Sequence, residues 1–200
     1  MLLIKRPVDI IVRVYRRPDI TMLYPQAAGH ENFNANALMN VKIRNAVMDL
    51  IKSLEQPGLK TTISGSFEIK NNQRGILSIL LIAMAEFGGA HPMTMAKSLT
   101  MDTATGELYS LNQLFSPGYK EIINAEIRKQ IKERNIPLLD GFKGISDDQE
   151  YYVSDHTIVI YYQLYELAPY AAGFPYFPIP LYLLSGVIPD NSPLDRLNYF

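Results

Sequence analysis

Three histidines, His30, His91 and His156, are the side chains of this 200-residue chain best suited to proton transfer near neutral pH. A metal site built on them would have to gather residues far apart in sequence. The chain holds no H-E-x-x-H pair, no H-x-x-x-H pair and no D-x-D-x-D-G calcium loop, so no metal ligand set is predicted. Cysteine is absent, which removes thiolate zinc sites, disulfides and thiol nucleophiles. No G-x-S-x-G nucleophile elbow and no phosphate loop occur. Asp155 and His156 are adjacent in a predicted turn, point in different directions and form no dyad. The short run with most chemical interest is "FGGAHPMT", residues 87–94. Gly88 and Gly89 permit positive φ and close backbone approach, and Pro92 biases His91 toward extended geometry. Two readings stay open: His91 as a general base or contact residue in a formed loop, or a bulged strand connection with His91 bonded to backbone.

The other unusual stretch is "YELAPYAAGFPYFPIP", residues 165–180, with five aromatic residues, four prolines and one charge. Tyr151, Tyr152, Tyr161 and Tyr162 lie just upstream. A tyrosine buries a large apolar body and keeps a polar tip, which suits a binding surface and also the wet edge of a core. The prolines exclude helix and confine any strand to a sheet edge. The segment is therefore expected to be rigid and extended, either an exposed platform or a lid over the core. The candidate binding residues are His91, Tyr161, Tyr165, Tyr170, Phe174 and Tyr176, with Gly88, Gly89 and Pro92 shaping a structural loop.

The elements that must position these residues follow from periodicity. "VDIIVRVY" (8–15) and "ITMLYP" (20–25) read as strands, the second ended by Pro25. Ile43, Val47, Leu50, Ile51 and Leu54 share one face of a helix over about 34–55, capped by Asn34 or Asn36. Residues 61–70 and 76–87 form a hairpin across "NNQRG". Strands at 96–102 and 107–111 follow, joined by "TATG" with Gly106 at positive φ. A second helix over about 117–134 has Ser116 as cap and Pro117 in its first turn. Residues 150–153 and 157–165 make another hairpin, and "PLYLLSGV" reads as the last strand. Strand runs joined by short turns predict an α+β fold with antiparallel sheets and two main helices. A division into residues 1–75 and 76–200, closely packed, is expected.

A net charge of −1 gives no field that would draw nucleic acid. The charge is uneven: residues 1–20 carry Lys5, Arg6, Arg13, Arg16 and Arg17, whereas Asp140 onward holds eight acids against Lys143 and Arg196. The hydrophobic content of 48% argues against disorder. No run reaches the roughly 18 apolar residues of a bilayer span, and Met1–Ile4 is too short for a secretory signal. Taken as written the chain is expected to be soluble and cytoplasmic by default.

Several blocks carry a resemblance. "FEIKNNQRGILSI", "GGAHPMTMAKSLTMDTATG", "LNQLF" and "YYVSDHTIVIYYQLYELAPYAAGFPYFPIP" resemble a bacterial family of unknown function, with Phe67 where that family is expected to have tyrosine. This family forms the outer domain of a lysozyme-sensing anti-sigma factor and part of the non-catalytic region of a peptidoglycan deacetylase. Residues 24–47, "YPQAAGHENFNANALMNVKIRNAV", resemble the domain that precedes it there. The resemblance implies an α+β binding module of the bacterial envelope, extracytoplasmic in its relatives and without catalysis or cofactor. Its implied partners are a cell-wall hydrolase or peptidoglycan. A hydrolase using His91, and a structural or assembly protein using exposed sheet edges, are the alternatives.

Overall fold

The structure, a computed structural model, describes residues 6–29, 32–89 and 91–198. His30 lies outside them. The fold is α+β, with a five-stranded and a three-stranded sheet. The chain divides into two compact units, the first ending at Leu108 and the second beginning at Tyr109. Residue 75, where the sequence reading draws its line, is in the turn of a hairpin whose strands are β3 (Thr62–Gln73) and β4 (Ile76–Glu86). A composition change at a tight turn marks the end of a strand there.

In the first unit the sheet order is β1-β2-β3-β4-β5, with β1 at Asp9–Arg17, β2 at Ile20–Ala28 and β5 at Met93–Asp102. All pairings are antiparallel except β2 with β3, which run parallel over Ile20–Met22 and Ile63–Gly65 only. A Cβ on Gly65 would lie 2.2 Å from the Met22 sulfur, so glycine is what lets these two strands meet. Pro25 does not end β2. By that point β2 has left β3, and no ladder bond is asked of the missing N–H. The β3–β4 turn uses Arg74 and Gly75 at φ +54° and +77°, the conformation that suits a two-residue hairpin.

Helix α1 (Phe33–Leu54) buries Met39, Ile43, Ala46, Val47, Leu50, Ile51 and Leu54 in one core with Ile20, Met22 and Ile63 of the sheet. The predicted apolar stripe is therefore the packed face. Its cap is Asn32 rather than Asn34 or Asn36; the Asn32 side chain accepts from the Asn34 and Ala35 N–H groups at 3.0 and 3.2 Å. β4 is buried from Ile76 through Leu81, which explains an apolar run without alternation. After β5, Asp102 accepts from the Ala104 and Thr105 N–H groups, and Gly106 takes φ +75° as expected. The strand expected at 107–111 is reduced to a bridge between Met101 and Leu108. Ser110 instead opens a 3-10 turn at Leu111–Leu114 through a capping box with Gln113.

In the second unit helix α2 covers Tyr119–Glu133. Its N-cap is Gly118 at φ +96°, and Ser116 is drawn off because its N–H donates to the Val187 carbonyl at 2.8 Å. Strands β6 (Tyr151–Ser154), β7 (Thr157–Tyr161) and β8 (Tyr176–Pro180) pair antiparallel in that order. β7 stops at Tyr161, not at residue 165, because a turn follows over Gln163–Glu166. "PLYLLSGV" is not a strand: Leu181–Val187 is a 3-10 helix that buries Leu181 and Leu184, three residues apart. A short helix, α3 (Asp195–Asn198), ends the described chain.

Candidate functional site

The 165–180 stretch is neither wholly platform nor wholly lid. Leu167, Ala168, Phe177 and Ile179 are buried, and they seal the core of the second unit. Tyr165 is 48% exposed, Glu166, Ala171 and Ala172 are exposed, and Tyr170, Phe174 and Tyr176 are half-buried. A 3-10 turn at Tyr170–Ala172 interrupts the extended path that the prolines predict.

The candidate rings touch one another. Tyr176 lies 6.2 Å from Phe174, 6.5 Å from Tyr152 and 6.1 Å from Tyr161, centroid to centroid. Tyr161 is the buried end of that group, and its hydroxyl donates to the Glu150 carboxylate at 3.0 Å, so it anchors the group rather than meeting a ligand. Tyr165 and Tyr170 lie 5.6 Å apart. Tyr165 adopts φ +66°, an uncommon conformation for a bulky residue. The turn that imposes it is closed twice: the Glu166 N–H donates to the Gln163 carbonyl at 3.2 Å, and the Gln163 N–H donates to the Glu166 carboxylate at 2.7 Å.

Acidic groups surround the turn. Burial raises the Glu166 pKa above its ordinary 4.5; the Gln163 N–H opposes this, and the neighbouring Glu150 and Asp148 carboxylates push it further up. Beside it, the Tyr162 hydroxyl is buried without a hydrogen-bond partner among the described residues. Its pKa is raised by burial and then by the Glu166 charge. The Tyr162 ring meets the edges of Phe142 and Phe177 at 6.5 and 6.0 Å. A carboxylate crowded by like charges is relieved by an incoming cation.

Strand addition is blocked at β8. The Gln130 side chain of α2 donates to the Pro178 carbonyl at 2.8 Å, and Arg134 donates to the Tyr176 carbonyl while lying 5.7 Å over the Phe177 ring. Pro178 has no N–H to offer. This edge therefore presents side chains and not open backbone.

His91 belongs to the first unit, in the loop between β4 and β5, and the aromatic residues to the second. It is exposed, with Nδ1 3.1 Å from the Pro92 carbonyl oxygen. Gly88 takes φ +74°; Gly89 has no positive φ, and a Cβ on either would meet nothing within 4 Å. His156 is tied to the Leu197 carbonyl. Sequence reading missed Glu150, Glu166 and the Gln163–Glu166 turn; the excess of acids beyond Asp140 was the available signal.

Comparison with known proteins bears on the second unit directly. Residues 112–182 match DUF3298, a family of proteins of unknown function. The resemblance read from the motifs is thereby shown, and the matched span runs from the turn before α2 to just past β8. The chain is similar to anti-sigma-V factor RsiV of Bacillus subtilis, with 27% identity over 182 residues that make up 82% of this chain. It spans 63% of that relative's length. Two solved DUF3298 structures share the fold at 14% identity. One, from Bacteroides fragilis, has a TM-score of 0.65 and 94% coverage of both chains. The other, from Pseudomonas aeruginosa, has a TM-score of 0.66, covering 92% of this chain and 95% of its own. Among the described residues no helix is long and apolar enough to cross a membrane.

Proposed function

We propose that this chain is a non-catalytic binding module of the bacterial envelope, and that its DUF3298 unit recognises a basic protein, with a cell-wall hydrolase as the partner class. The observation that carries the reading is the pairing of a strained, exposed Tyr165 with the crowded carboxylates Asp148, Glu150 and Glu166. Aromatic anchors supply contact area, and carboxylates steer and orient a cationic surface. The similarity to an anti-sigma factor supports interaction with proteins, and the resemblance to a lysozyme-sensing domain supports the hydrolase class. A wall glycan would use the same tyrosines for stacking but would gain little from the acids.

The test is calorimetric titration of the chain with a c-type lysozyme, a basic wall hydrolase. A dissociation constant of micromolar or tighter, about −8 kcal/mol or better, is expected. Tyr165→Ala and Glu166→Gln should each weaken it, and raising salt should slow association. Absence of heat, confirmed by fluorescence anisotropy, would refute the hydrolase class. Equal binding of soluble peptidoglycan fragments to the wild type and Glu166→Gln would assign the tyrosines to glycan instead.

A further inference from the structure

Side chains satisfy open backbone groups at several places in this fold. β8 is covered by Gln130 and Arg134. Where β2 departs from β3, the Asn40 side chain takes over the ladder: its Oδ1 accepts from the Ala27 N–H at 2.8 Å and its Nδ2 donates to the Ala27 carbonyl at 2.9 Å. Asn72 does the same for Val8, at 2.9 and 2.7 Å. β1, the edge strand of the five-stranded sheet, has no such cover over its centre.

Which groups β1 leaves open follows from register. The Ile63 N–H donates to the Asp19 carbonyl at 2.8 Å, and Ala27 bonds Asn40, so odd-numbered residues around β2 turn their backbone groups away from β1. The even-numbered residues Ile20, Met22, Tyr24 and Gln26 then bond Arg17, Tyr15, Arg13 and Ile11 opposite them. Ile10, Val12, Val14 and Arg16 are left with backbone N–H and C=O directed outward. Val12 and Val14 are 57% and 49% exposed, with Ile11 at 43% and Leu23 at 37% beside them. An exposed, β-branched edge without proline or lysine is a template for another strand.

Charge names the occupant. The strand DIIVRVYRR carries Arg13, Arg16 and Arg17 against Asp9 alone. Arg13 also lines a hollow of about 280 Å³ with Arg44, Tyr24, Gln26 and Asn40. A second copy pairing antiparallel over the full strand would set Arg13 against Arg13 and leave both Arg16 side chains facing Ile10, with acid meeting base only where Asp9 faces Arg17 at the ends, so an acidic strand matches the arginines better. We propose that the open edge of β1 adds an extended acidic polypeptide segment as a sixth strand. Main-chain bonds to Val12 and Val14 would hold it, and carboxylates at alternate positions would meet Arg13 and Arg17, which share one face of β1.

The probe is a fluorescent synthetic peptide of the length of β1 that alternates glutamate with valine, compared by anisotropy with its lysine–valine counterpart on the intact chain. The acidic peptide should bind at least about tenfold tighter than the basic one. Hydrogen exchange should slow at the Val12 and Val14 amides when it is bound. Val14→Pro removes an outward N–H that β2 does not use, and should cost at least about tenfold in affinity. Arg13→Glu leaves the backbone intact and should weaken the acidic peptide while improving the basic one. Absence of binding, equal binding of the two peptides, or unchanged affinity in both variants overturns the proposal. A concentration-dependent dimer by analytical ultracentrifugation that Val14→Pro abolishes would overturn it in favour of a second copy.

Discussion

Replacing Asn40 by alanine tests whether a side-chain amide can stand in for a strand. Asn40 sits on α1 and forms both backbone bonds that Ala27 would otherwise make to a neighbour, at 2.8 and 2.9 Å. Each such bond stabilises by about 1 kcal/mol net. Ala27 is only 2% exposed, so its N–H and C=O cannot turn to bulk water when the amide is gone. A buried group left unpaired costs about 1–3 kcal/mol, and the two together give an expected loss of about 2–6 kcal/mol. With a urea slope of about 2 kcal/mol per M, the midpoint should fall by about 1–3 M with the slope unchanged. Hydrogen exchange at the Ala27 amide should accelerate even under native conditions, because the local bond is lost before the unit unfolds. Asn40→Asp keeps an acceptor for the Ala27 N–H but sets a carboxylate against the Ala27 carbonyl, so it should recover when that acid is protonated. A loss below about 0.5 kcal/mol for Asn40→Ala would refute the reasoning and show that β2 needs no partner there.

Further perturbations follow from single residues. Phe177 is fully buried between Tyr162 and Arg134, and Phe177→Ala should cost about 3–5 kcal/mol in thermal or urea unfolding. Asn32→Ala removes the α1 cap and should cost about 1 kcal/mol by the same measurement. Tyr165→Gly should release about 1 kcal/mol of backbone strain at φ +66° while weakening binding of a basic partner, separating stability from function. The raised pKa of Glu166 means that the folded state holds this proton more tightly than the unfolded chain does. Its contribution to stability is complete below the ordinary 4.5 and is lost as pH rises through the raised value, so Glu166→Gln should stabilise at pH 7 and flatten that part of the pH–stability curve.

Where periodicity is long and a single rule acts, the sequence is explicit. The stripe from Ile43 to Leu54 is the packed face of α1, and the unbroken apolar run from Ile76 is a strand buried on both sides. Local signals lose to tertiary ties elsewhere. Ser116 looks like a cap until its N–H is taken by Val187, which shifts the start of α2 to Gly118. Pro25 looks like a strand end, yet its missing N–H faces the side on which β2 has already left β3. "PLYLLSGV" has strand composition, but its buried leucines are three residues apart, a spacing that composition does not register. In the site, the aromatic richness of 165–180 was legible while its sidedness was not. Whether Tyr161 is anchor or contact depends on Glu150, eleven residues away in sequence.

Prolines and amides in this fold have one physical task in common, the treatment of unpaired backbone. At β8 the carbonyls of Tyr176 and Pro178 are capped from α2, and proline removes a donor that water would otherwise have to serve. The result is a strand that cannot be extended at that edge, so under the proposed function recognition in the unit that holds the DUF3298 match falls to side chains. At β1 the opposite choice leaves Val12 and Val14 with outward donors and acceptors beside three arginines. Backbone pairing is indifferent to side-chain identity, and the arginines restore selectivity by charge. Recognition through side chains at β8 should be sensitive to salt and to Glu166 protonation, whereas recognition at β1 should respond to a single proline. Val14→Pro and Glu166→Gln are therefore expected to act on different partners, and a chain carrying both should lose the acidic peptide and the basic protein by the sum of the single effects. Coupling beyond about 0.5 kcal/mol between the two substitutions would show that the open edge and the acid–tyrosine turn do not act independently.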